Sequence, residues 1–158
     1  MQRDILQYLS ELSAVQERTL SVLCRKQELL VKPNRDALAV VASEEQEVLT
    51  QLRQCVVRRK EILATARQQG HEAGSIQSLC ERTLPPHSEC LRLVEEAMRR
   101  SRLIQLQSRT NWVMTQKSLI HLSQMLEIIA TRGQGKPTYH RHGDKETGSS
   151  GGFVDRVA

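Results

Sequence analysis

The chain has 158 residues, room for one domain, and its 39% apolar residues can fill a core provided the elements are long and amphipathic. Aromatics make up only 3%, and Leu, Gln, Arg, Glu and Ala dominate, which argues against a sheet-rich fold and predicts an all-α protein. The net charge of +5 is spread over interleaved acids and bases, the pattern of solvated helix faces.

The first predicted helix runs from about Asp4 to Leu30. Ile5, Leu6, Leu9, Leu12, Leu20, Leu23 and Leu30 recur there at three- and four-residue steps and form one stripe. Pro33 ends it and biases Lys32 away from helical torsions, while Asn34 or Asp36 can cap the next helix. So short a turn implies an antiparallel hairpin. In the second helix Leu38, Val41, Val48, Leu52, Cys55, Ile62 and Ala66 occupy heptad positions, with Leu49, Val56 and Leu63 one step round, which predicts a broad seam. Glu45 and Arg59 fall within it and can fix register.

Gly70 and Gly74 break the pattern, and Ser75 is a reasonable N-cap for a short helical piece reaching Leu84. After Pro85 and Pro86 the longest helix extends to about Thr131, roughly 65 Å at 1.5 Å per residue. Leu91, Val94 and Met98 begin its stripe; Ser101, Gln105 and Ser108 interrupt it, reading as a hinge or a water-accessible layer. Apolar character returns at Trp112, Leu119, Leu122, Leu126 and Ile129. Val113, Ile120, Met125 and Ile128 widen that last surface beyond one stripe, so that it needs two partners. It is either core, buried by the earlier helices or by a second copy, or a groove for a partner's amphipathic helix, which its methionines make adaptable. In the second case the binding residues are Val113, Leu119, Ile120, Leu122, Met125, Leu126 and Ile129.

The expected architecture is therefore an antiparallel bundle of three long, coiled-coil-like helices over residues 1–132. A flexible Gly/Ser-rich tail follows over 133–158. Gly133 and Gly135 end the last helix and Pro137 prevents its resumption, leaving Thr138 to Gly143 extended and accessible. Tyr139 then stands as a movable aromatic anchor, unless it is an incidental aromatic in a disordered end.

Catalytic motifs do not emerge: the sequence has no nucleophile elbow, phosphate-cradling glycine loop or HExxH helix, so an enzyme is not expected. Cys80, His87 and Cys90 lie near one another, as do His140 and His142, yet neither group has the paired spacing that chelates one tetrahedral ion; no metal or other cofactor is expected. The four cysteines are irregularly spaced and the N-terminus carries no apolar run of signal-peptide or transmembrane length. Both features point to the reducing cytosol and to no membrane insertion. Arg99, Arg100, Arg102 and Arg109 cluster as a phosphate-binding patch would, or as an ordinary solvated face. The absence of interleaved aromatics favours the solvated face and argues against nucleic acid as a partner.

Three stretches carry a family resemblance: the acidic and leucine-rich LAVVASEEQEVLTQLRQCVVRRKEIL, the helix NWVMTQKSLIHLSQMLEII beginning at Asn111, and the tail PTYHRHG followed by SSGGFVDRVA. Together they resemble the FlgN family of flagellar export chaperones over most of the chain, although His140 stands where the family often has a glycine after the tyrosine. The resemblance implies a cytosolic type III export chaperone. Such a protein binds the C-terminal helical segments of hook–filament junction proteins, prevents their premature assembly and delivers them to the export gate, and it implies gate docking through Tyr139. Competing expectations are a structural or adaptor coiled coil that uses its stripes for self-association, and a helical protein that binds RNA or a membrane surface through the arginine cluster.

Overall fold

The computed structural model describes residues 1–85 and 88–131. The chain divides into two compact units, Met1–Ile120 and His121–Ala158. Four helices account for nearly all of the described residues: α1 (Gln2–Val31), α2 (Arg35–Gln68), α3 (Ile76–Thr83) and α4 (Glu89–Ala130). The expected bundle of three long helices thus becomes three long helices and one of eight residues. The expected domain boundary after residue 132, and the tail beyond it, lie outside the described residues.

Local chemistry sets the boundaries. α1 begins two residues earlier than the apolar stripe suggests because the N-terminal ammonium pairs with Asp4 at 3.0 Å, in the first turn where a carboxylate also meets the helix dipole favourably. It ends at Val31, ahead of Pro33. Asn34, rather than Asp36, caps α2: its Oδ1 accepts from the Ala37 amide at 3.0 Å, while Asp36 adds an acid to the first turn. At the other end of α2 the chain turns through Gly70, whose φ is +85°. The Gly70 amide reaches the Arg67 carbonyl and the His71 amide the Ala66 carbonyl, the paired bonds that close a helix when its first outside residue is left-handed. Ser75 caps α3 in a reciprocal bond with Ser78, the short serine doing the work usually given to Glu or Gln at that position.

Within the first unit α1 and α2 are antiparallel. Arg18 meets Glu47 and Arg25 meets Glu44, so numbers rise on one helix as they fall on the other. Lys26 bonds Glu45 at 2.6 Å, which accounts for a carboxylate in the predicted seam: it pins register from the rim. α1 and α4 run the same way, since Gln16 meets Ala97 and Asn111 meets Leu23.

The main core gathers where α3 folds in. Ile5, Tyr8 and Leu9 of α1 pack with Cys55, Ile62, Leu63 and Ala66 of α2, Leu79 and Cys80 of α3, and Cys90 and Val94 of α4. A smaller cluster, Val22, Val41 and Val48, holds the other end of the α1–α2 hairpin. Of the flanking residues of the α2 seam, Leu63 is buried beside α3, while Leu49 and Val56 are exposed, no third helix reaching them among the described residues. Early in α4 the buried position is Ala97, and Met98, expected in the stripe, is exposed.

Between the two clusters the bundle is joined by amides. Gln16, only 2% exposed, donates through Nε2 to the Ala97 carbonyl and to Ser101 Oγ, both at 2.9 Å. Gln107 Nε2 donates to Gln27 Oε1, and buried Asn111 donates through Nδ2 to the Leu23 carbonyl at 2.8 Å. In the polar middle of α4, expected as a hinge or a water-accessible layer, Ser101, Gln105 and Ser108 are all exposed, and Ser101 also accepts the bond from Gln16.

Candidate functional site

The helix that carries the candidate residues is continuous from Glu89 to Ala130. Its own turn, about 100° per residue, fixes which of its side chains share a face. Val94, Ala97 and Asn111 mark the face that is buried. Continuing in steps of three and four, the same face carries Leu119, Leu122, Leu126 and Ile129, with Met125 at its edge. Here it is uncovered: every residue from Gln116 to Thr131 is exposed, and Ile129 keeps 69% of its surface.

Val113 and Ile120 fall elsewhere. They lie roughly half a turn from Leu122 and Ile129, on the opposite side of α4, in line with Leu106 at seven-residue spacing. All three are exposed. The seven residues singled out from sequence therefore divide into two faces, and a partner helix lying along one of them does not touch the other. Trp112, exposed at 64%, stands on the first face's side.

The arginine cluster also divides. Arg100 turns inward and bonds Glu17 at 3.2 Å and Glu96 at 3.5 Å. Arg99, Arg102 and Arg109 are exposed and have no carboxylate within ion-pair distance among the described residues. Two shallow grooves flank α1, about 760 and 470 Å³, and neither includes any of the seven candidates.

Cys80 and Cys90 lie together in the core, both fully buried. Burial pushes the Cys80 thiol up to about 11, with the neighbouring Cys90 adding to the effect, so it keeps its proton and packs as a small apolar group. Metal ligation needs the thiolate, and no group of three or more suitable side chains occurs among the described residues. His87, His140, His142 and Tyr139 lie outside the described residues. No helix among those residues is long and apolar enough to cross a membrane.

An all-helical frame presenting an uncovered apolar helix face defines a protein with a surface suited to another protein's apolar segment. The family model described as "FlgN protein" matches residues 1–147, and the chain belongs to that family of flagellar export chaperones. No curated protein and no solved structure gives a significant match.

What sequence reasoning missed is Asn111. As part of the family pattern it marked the start of an apolar stretch; in the structure it is the last buried side chain of α4, and the covered face ends where it bonds α1.

Proposed function

We propose that the protein binds the C-terminal helical segments of hook–filament junction proteins on the apolar face Leu119, Leu122, Met125, Leu126 and Ile129. It keeps those segments from assembling and delivers them to the flagellar export gate, which it meets through Tyr139. One observation carries this reading: the face that α4 buries up to Asn111 becomes, from Leu119 to Ile129, about three turns of exposed leucine, methionine and isoleucine. Leaving aliphatic surface in water costs about 25 cal/mol per Å², and an amphipathic client helix removes that cost by lying along it. A client segment that orders only on binding gives back part of the contact energy, which keeps the complex releasable. Val113 and Ile120, on the opposite face, serve this contact only if the client wraps round α4.

The test is a pull-down, followed by calorimetry, with the isolated C-terminal segment of a hook-junction protein. Wild-type protein is expected to form a stoichiometric complex; Leu122→Asp/Leu126→Asp is expected to keep its helicity and melting temperature and to lose binding. Wild-type affinity in that folded double variant would sink the proposal.

A further inference from the structure

The outward face of α4 between Arg99 and Ile120, within the first unit, carries a second pattern. Leu106, Val113 and Ile120 form a line at seven-residue spacing, each well exposed. Arg99 heads the same line one heptad before Leu106, Lys117 flanks it on one side and Arg102 and Arg109 on the other, and all four cations are exposed. From Ala97 through Ile120 the helix contains no carboxylate at all. Of its cations only Arg100, on the inner side, is paired among the described residues.

We infer that this face is a second docking surface, which takes an acidic amphipathic helix from a partner protein. A line of exposed aliphatics at seven-residue spacing supplies one of the two apolar rows along which a partner helix can lie, and the charges beside it select that partner. Here every flanking charge is positive. A second copy of the same face is repelled, and a helix bearing Glu or Asp beside its own apolar line is attracted. Three aliphatics in a single line give too narrow a face for insertion into lipid, where a broad apolar side is needed. No aromatic stands in the line to stack a base. The surface is distinct from the face proposed for the client, which lies half a turn away.

The probes are synthetic helices of about four heptads, with leucine and isoleucine in the seam and Glu, Gln or Lys at the flanking positions. Each is titrated by fluorescence anisotropy against the full chain at low and at raised salt. The Glu version is expected to bind, more weakly as salt rises, and about tenfold more tightly than the Gln version; the Lys version is expected not to bind. Arg102→Glu/Arg109→Glu should lose the Glu peptide and gain the Lys peptide, while still binding the hook-junction segment. Arg102→Gln/Arg109→Gln gives the same loss without introducing repulsion, should the charge-reversed protein fold poorly. Equal binding of the Glu and Gln versions would overturn the inference. So would binding by an oligonucleotide, by phosphatidylglycerol vesicles or by a second copy of the chain, abolished by the same substitutions, in place of the peptide. Loss of hook-junction binding in Leu122→Asp/Leu126→Asp, with the peptide results unchanged, bears on the proposed function alone.

Discussion

Asn111 and Leu23 lie 88 positions apart in the chain and are joined by a buried hydrogen bond of 2.8 Å, from the asparagine amide to a carbonyl in the middle of another helix. The donor is what matters. Asn111→Asp puts a carboxylate oxygen against the Leu23 carbonyl where the amide donor stood, and denaturant titration should find the protein destabilised by about 2–4 kcal/mol. Asn111→Ala removes the group altogether and should cost less, about 1–2 kcal/mol. If the aspartate variant were as stable as wild type, the bond would not be holding α4 to α1.

The thiols should separate by burial. Cys24 is exposed, whereas Cys55, Cys80 and Cys90 are buried. A thiol-specific reagent should modify one cysteine at once in the native protein and the other three only in denaturant; rapid reaction of a second would contradict the packing of the core.

Stability should fall in alkali. The Cys80 thiol titrates at about 11 in the folded chain against 9.0 when free, so folding favours its protonated form. A raised value contributes stability that is complete below pH 9 and is lost as pH climbs towards 11. Urea midpoints measured across that window should decline, and Cys80→Ala should decline less.

Gly70 closes α2 with a positive φ, and nothing lies within 4 Å of where a side chain would sit. The cost of Gly70→Ala is therefore backbone strain alone, about 1 kcal/mol. Gly74→Ala, with neither a positive φ nor a neighbour in the way, should be nearly neutral in the same thermal melts.

For the tail the expected result is functional. Tyr139→Ala should reduce docking to the export gate and secretion of hook-junction proteins while leaving affinity for the isolated client segment intact. Normal export by the variant would remove Tyr139 from the mechanism, and lost client binding would place it with the client surface.

Punctuation residues made the helices legible in the sequence: Pro33 and Asn34, Gly70 and Ser75 each act through local backbone chemistry, and each lies where the helices change. Burial was less legible where one helix replaces a methyl group with an amide. Gln16 and Asn111 have the composition of solvated positions, and only the arrival of a carbonyl or hydroxyl from a helix some eighty residues away makes them interior. The exposed face of α4 read as core or as groove, because periodicity records that a face is apolar and not what covers it. Its division into two sides was available from the helix turn alone, as Val113 and Ile120 are out of phase with Leu122 and Ile129.

Holding α1 to α4 by amides rather than by methyl groups changes what separating them would involve. The four bonds from Gln16, Gln107 and Asn111 end on groups that water satisfies almost as well. Opening this seam therefore exposes little grease, while the aliphatic knot around Leu79 and Cys80 stays shut. Protection of α4 amides against deuterium should accordingly decay along the helix, strongest near Val94 and already weak by Asn111, so that the chaperone can loosen one end of a single helix without melting the other.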